Sequence, residues 1–287
     1  QIYISAFAVV SIYFIYKISI RYSKNPTLSL MIYYSFYYFV WVFSGIRQGL
    51  AMAIGVYYLI EAIKENKVKK FMLIVIFLSS IHVSALILIF FYILSKVDFT
   101  LKQLTIITLL SLLINIAPLG VIILKLTPTF PILNRITPYI STVTSLNNIF
   151  DFQTIGRIVF LIIVFWFYES YIINFPADKK IINLYILSFV IYFIFKFSEL
   201  TAARLALYGR VLDIVILSNI YYMIKPKWEK LIHLVLLITL MSLYFFKELN
   251  AMENQSKLVD FNPINTPYVN IFNKENFHYD SKYNRVE

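Results

Sequence analysis

Cysteine is absent from the 287 residues of this chain, which excludes both disulfides and thiolate metal sites. Charge is scarce too, with Asp, Glu, Lys and Arg together making up 14%. Three scattered histidines leave little for a metal to bind. No metal centre and no cofactor are therefore expected. What is abundant is apolar: 60% of the residues are hydrophobic and the mean hydropathy is +0.74. A water-soluble globule is excluded. The formal charge of +11 would fit a nucleic-acid binder, but the lysines and arginines lie in short connections between apolar runs. That distribution is the positive-inside pattern, and no nucleic-acid partner is expected.

The expected fold is all-α: a polytopic helical membrane bundle of about 8–9 apolar segments, because continuous apolar runs of about 17–24 residues suit helices and not barrel strands. The runs are Ile2 to Tyr16, Leu28 to Phe43, Gln48 to Ile63, Phe71 to Leu94, Leu101 to Leu124, Ile155 to Ile173, Ile181 to Phe197, Arg204 to Ile224 and Leu231 to Phe246. A transmembrane domain over residues 1–248 and a polar C-terminal tail over 249–287 follow from this division. The chain starts at Gln1 inside an apolar run, which reads as an N-terminal truncation.

Basic residues cluster in "KISIRYSK", "IKENKVKK", "ADKK" and "KPKWEK", and all four should face the cytoplasm. If every run crosses once, "IKENKVKK" and "ADKK" end on opposite sides. A re-entrant or broken helix over 71–94 repairs the parity, as would a re-entrant piece in the long loop. The first is favoured, because "FLSSIHVSAL" puts three serines and a histidine at the middle of the run, where freed backbone groups would need polar partners. The hairpin also returns "SKVDFTLK" to the cytoplasmic side. The loop over 125–154, with three prolines and many hydroxyls and amides, then faces outward, as a spacer or a binding element.

Several polar residues stand out in these runs. Arg47 and Gln48 sit at the mouth of "SGIRQGLAMAIGVYYLI", with Gly45 and Gly49 flanking the pair to permit a close approach by backbone or ligand. An arginine at a helix N-terminus adds a fork of donors to free N–H groups, a good setting for phosphate, although a snorkelling interfacial arginine is the bland alternative. His82 reads either as a packing residue or as a base or donor facing a wet cavity, with Ser80 and Ser84 as polar neighbours. In "SELTAARLALYGRVLD", Arg204 and Tyr208 share a helix face, whereas Arg210 and Asp213 are spaced to pair with each other. Arg204 has no evident local partner except Glu199, so an anionic ligand is expected to replace its lost hydration. No Ser-His-Asp arrangement is visible.

The block "FSGIRQGLAMAIGVYYLIEAIKENKVKKFMLIVIFLSSIHVSALILIFFYIL" resembles the signature of the EpsG family of bacterial exopolysaccharide proteins, which are Wzy-like polysaccharide polymerases. Arg47, Gln48, Ala51, His82, Ser84 and Ala85 occupy the positions of its pattern. "RLALY" resembles the family's arginine-plus-tyrosine element, and "NTPYVNIF" a Pro-Tyr motif near its C-terminal end. The family's outside loop with an acidic Gly-Thr-Asp-like element has no counterpart in this sequence.

The resemblance implies a multi-pass protein of the bacterial cytoplasmic membrane. It would join oligosaccharide repeat units carried on undecaprenyl diphosphate into a surface polysaccharide (exopolysaccharide, capsule or O-antigen). A chain-length regulator and a flippase of the same pathway would be its partners. Arg47 and Arg204 would stabilise the departing diphosphate, His82 would take the proton from the attacking sugar hydroxyl, and Gln48, Ser84, Tyr208 and Arg210 would bind substrate. The donor is already activated, so no divalent metal is expected. A flippase for lipid-linked sugars and a membrane acyltransferase that decorates the glycan are the alternatives.

Overall fold

A computed structural model describes residues 2–116, 122, 125 and 151–257. Among the described residues the regular elements are all helical. They are α1 (Ile2–Tyr22), α2 (Pro26–Tyr33) continuing as a π-helical segment (Tyr34–Ser44), α3 (Ile46–Glu65), α4 (Val68–Ile81), a 3-10 turn (Val83–Leu86), α5 (Ile87–Leu94), α6 (Leu101–Ile116), α7 (Phe152–Asn174), α8 (Lys179–Ile194), α9 (Glu199–Arg210), α10 (Asp213–Met223) and α11 (Lys227–Lys257). Several boundaries follow from local chemistry. Asn25, Asp151 and Ser198 cap α2, α7 and α9 by accepting from the backbone N–H three residues on. Asn66, at φ 55°, ends α3 in the left-handed conformation that asparagine tolerates.

Among the described residues four helices are long and apolar enough to cross a membrane: Ile2–Tyr22, Ile46–Glu65, Thr154–Asn174 and Lys227–Asn250. The expectation of eight to nine such segments is therefore met only in part, and the reasons are local. The second apolar run divides into α2 and the π-helical segment. The run from Arg204 to Ile224 divides between Arg210 and Asp213, both buried. The run over 71–94 breaks at His82, whose extended backbone (φ −151°, ψ 113°) separates α4 from the 3-10 turn.

At that break the chain doubles back. The rings of Phe71 and Tyr92, at the far ends of the two arms, lie 5.4 Å apart, where an unbroken helix would hold them on the order of 30 Å apart. Both arms seat on Gly55 of α3, where a Cβ would meet Leu88 Cδ1 at 2.3 Å and Leu78 Cδ1 at 3.3 Å. Only a residue without a side chain lets the hairpin approach this closely.

One end of the bundle collects the basic connections. Arg21, at the end of α1, donates to Glu61 Oε1 and Tyr57 OH of α3, both at 2.8 Å, and to Glu65. Lys64 pairs with Asp178, and Lys179 lies 4.0 Å from Asp98. Asn219, near the end of α10, accepts from the Lys24 N–H at 2.7 Å. These contacts bring "KISIRYSK", "IKENKVKK", "SKVDFTLK" and "ADKK" to one end, with "KPKWEK" following α10 there. The α4–α5 hairpin makes this possible by returning the chain to the end it left.

The bundle centre is formed by α8 and α10, buried along most of their lengths. By contrast α1 and α11 are peripheral, with apolar residues such as Val9, Ile232 and Val235 exposed, a surface suited to lipid. Helix α11 continues through Lys257, past the boundary expected at residue 248. Residues 258–287, with "NTPYVNIF", and nearly all of the expected outward loop over 125–154 lie outside the described residues.

Candidate functional site

A cavity of about 470 Å³ opens at the end of the bundle away from the lysine-rich connections. Its polar lining is Arg47, Gln48, His82 and Arg204; its apolar lining includes Tyr3, Ile4 and Phe7 of α1, Trp41 of the π-helical segment and Leu200 of α9. Three separate stretches of chain thus bring their polar residues to one space. Among the described residues no carboxylate lines it.

The start of α3 supplies the first part. Gly45 is its N-cap and offers no side-chain cap, so the first-turn N–H groups and the positive end of the helix dipole remain available beside Arg47. The flanking glycines have a structural explanation. A Cβ on Gly49 would stand 2.0 Å from the Trp41 carbonyl oxygen, and one on Gly45 would stand 2.5 Å from the Trp41 ring. What approaches the glycines is therefore Trp41. The π-helical turns, wider than α-helical ones, carry its ring and carbonyl against α3.

Gln48 is buried, and its Nε2 donates to the Arg204 carbonyl oxygen at 2.8 Å. It thereby ties α3 to α9 and fixes the two arginine-bearing segments to each other. Among the described residues neither Arg47 nor Arg204 takes part in an ion pair. Glu199, the one local carboxylate expected near Arg204, reaches Lys196 instead, at 3.3 Å. Lys196 also bonds Asp151 and, at 2.9 Å, the hydroxyl of Tyr192.

His82 stands at the tip of the α4–α5 hairpin. Its Nδ1 lies 2.7 Å from Ser84 Oγ, and Ser84 Oγ lies 2.9 Å from the hydroxyl of Tyr208 on α9. Nε2 is the ring nitrogen with no protein partner among the described residues. Ser79 and Ser80 donate to carbonyls of their own helix, at Ile76 and Phe77. Ser80 is thus turned from the imidazole it was expected to accompany.

Three of the four expected substrate-binding residues are placed differently from Gln48. Ser84 and Tyr208 are not on the cavity lining; they form a hydrogen-bonded chain behind His82, with Tyr208 fully buried. Arg210 is in the core, 3.6 Å from the Asp213 carboxylate and 5.3 Å from the centre of the Phe189 ring. Tyr37 ties this pair to the π-helical segment by donating to the Arg210 carbonyl and to Asp213. The spacing of Arg210 and Asp213 already allowed this outcome, and burial drives it: a guanidinium excluded from water takes the nearest carboxylate. The apolar wall of Tyr3, Phe7 and Trp41 was not foreseen, because a chain with 23 tyrosines and 26 phenylalanines offers no contrast by which to single it out. Among the described residues no group of three or more His, Asp or Glu is placed to hold a metal.

A largely apolar helical bundle with membrane-length helices, holding two arginines, a histidine and a helix N-terminus around one cavity, defines a membrane protein with a cationic cavity. The sequence model of the EpsG family matches residues 1–262, and the chain belongs to that family. Membership suggests a Wzy-like polysaccharide polymerase of the glycosyltransferase type. The match takes in Arg47, Gln48, His82 and Arg204 and stops short of "NTPYVNIF". No curated protein and no solved structure gives a match.

Proposed function

We propose that the chain joins oligosaccharide repeat units carried on undecaprenyl diphosphate into a surface polysaccharide, at the outer face of the bacterial cytoplasmic membrane. The observation that carries this reading is the gathering of Arg47, His82 and Arg204 around one cavity that no carboxylate lines among the described residues. Lysine-rich connections favour the cytoplasmic side, so the cavity at the opposite end faces outward.

The chemistry asks for what the cavity offers. The bond between the sugar's anomeric carbon and the diphosphate oxygen breaks with both electrons passing to the diphosphate. The acceptor hydroxyl oxygen bonds to that carbon, and its proton ends on the released diphosphate. Negative charge grows on the leaving group, so fixed cations lower the barrier. Arg47, the free N–H groups of α3 and Arg204 take that role, since a guanidinium fork matches phosphate oxygens and stays charged. Tyr3, Phe7 and Trp41 give the first isoprene units an apolar wall.

Polymer length on a gel tests the reading, in a strain lacking the gene and complemented with full-length wild type, Arg47→Ala or Arg204→Ala at matched membrane levels. A ladder from wild type and single repeat units from the variants is the expected result. Normal ladders from both variants would overturn it. A flippase would instead move unaltered substrate, and an acyltransferase would transfer acyl groups without chain growth.

A further inference from the structure

Which nitrogen of His82 carries the proton follows from counting donors and acceptors behind the ring. Tyr208 is fully buried, and among the described residues its hydroxyl has one hydrogen-bond partner, Ser84 Oγ. A buried phenol that withholds its proton from its single partner is left an unsatisfied donor, so Tyr208 donates and Ser84 accepts. Ser84 then has its own proton to place, and the other polar atom it contacts is His82 Nδ1 at 2.7 Å. If Nδ1 also carried a proton, two donors would converge on Ser84 Oγ and the serine proton would have no acceptor among the described residues. In the arrangement that satisfies every group, Nδ1 accepts and the proton of the neutral ring sits on Nε2.

We infer that Tyr208 and Ser84 are positioning residues that hold His82 as its Nε2–H tautomer, and that His82 serves the cavity as a hydrogen-bond donor to a diphosphate oxygen. It is then not the base that takes the proton from the sugar hydroxyl, the role expected from the sequence. Coulomb's law points the same way. A base here would become an imidazolium on a cavity already lined by two guanidiniums, whereas a neutral donor reinforces their pattern without adding charge. The α4–α5 hairpin acquires a purpose from this: its break puts His82 and Ser84 at one tip, within reach of Tyr208 on α9. The inference rests on the reading of the cavity as the seat of a lipid diphosphate.

The test is nitrogen-15 NMR of the full chain, labelled at histidine and held in lipid nanodiscs, with His82→Gln identifying the His82 signals. Wild type should show a protonated Nε2 and an unprotonated Nδ1, and Tyr208→Phe and Ser84→Ala should each raise the Nδ1–H share. An Nδ1–H ring in wild type, or no change in either variant, would overturn the tautomer assignment. Inorganic diphosphate added to wild type should move the Nε2 signal; no response at saturating diphosphate would overturn the donor role.

Polymerisation supplies a third readout, because glutamine keeps a side-chain N–H donor and alanine does not. His82→Ala should lower the rate by about ten- to a hundredfold, and His82→Gln by less than about tenfold. Equal collapse of both would overturn the donor role. If wild type itself builds no polymer, the polymerase reading fails while the nitrogen signals still decide the tautomer.

Discussion

Arg21 and Arg204 are both arginines on largely apolar helices, and their surroundings are opposite. Arg21 reaches Glu61, Glu65 and Tyr57, while Lys67 approaches both glutamates and Lys64 takes Asp178. Around Arg204 and Arg47 the nearby carboxylates are already committed: Asp151 and Glu199 to Lys196, and deeper in the core Asp213 to Arg210. Cations at the lysine-rich end thus have their partners built in and act as a clamp on α1, α3 and α8. Cations at the cavity have a hydrogen bond that fixes the backbone, through Gln48, but among the described residues no built-in anion. The difference teaches that a charge in an apolar chain points to a ligand only after the protein's own counter-ions have been assigned.

The largest expected effect separates the two ends directly. Arg47→Ala or Arg204→Ala should lower the polymerisation rate by about a hundredfold or more, the size of effect seen when one preorganised donor to a developing anion is removed. The thermal midpoint in detergent should barely move, because among the described residues neither arginine has an ion pair to lose. Arg21→Ala should do the reverse, with a lower midpoint and a rate within about threefold of wild type.

Gly49→Ala should come next. The added methyl would meet the Trp41 carbonyl at 2.0 Å, and two backbones would have to part at a cost of about 1–3 kcal/mol. Since Trp41 lines the cavity, both the midpoint and the polymer yield should fall, with a change in tryptophan fluorescence reporting the displaced ring. Unchanged fluorescence and yield would show that the close approach does not shape the cavity.

Glu61→Gln should cost about 1–2 kcal/mol by thermal denaturation, discounted because Arg21, Lys67 and Lys70 are all substantially solvent-exposed. Rate should be spared, and a loss of rate matching that of Arg204→Ala would erase the contrast between the ends.

The smallest effect belongs to Asp151. Burial pushes its carboxyl up, but the Lys196 ammonium and the Thr154 N–H outweigh burial and leave it below the usual carboxylate value. Its contribution to stability is therefore present above the ordinary carboxylate range and lost as pH falls through the lowered value. Asp151→Asn should reduce the drop in thermal midpoint between neutral and acid pH without changing the ladder. An altered ladder would extend the functional site to the Lys196 cluster.

Much of this arrangement was legible in the sequence, because in an apolar chain a polar side chain is conspicuous. Arg47, Gln48, His82 and Arg204 could be picked out that way, and the parity of the basic connections, together with the serines beside His82, favoured a turn back there over one in the long loop. Other features lie beyond one-dimensional reading. The π-helical turn over Tyr34–Ser44 leaves no mark distinguishable from an ordinary apolar helix, so the role of Gly45 and Gly49 as seats for Trp41 could not be foreseen. Ser84 and Tyr208 were recognised as polar, but whether they face a cavity or stand behind His82 depends on how α9 docks on the hairpin tip. Arg210 shows the same ambiguity, since a buried arginine looks alike in sequence whether its anion is Asp213 or a substrate.

Purified full-length protein in sealed proteoliposomes, supplied at its outward face with undecaprenyl-diphosphate-linked repeat units, tests the central claim most directly. Wild type and Arg21→Ala should release undecaprenyl diphosphate in step with chain growth, while Arg47→Ala and Arg204→Ala should release almost none although the purified proteins remain folded. If the two cavity variants release it at the wild-type rate, the unpaired arginines are structural and the cavity is not where polymerisation occurs.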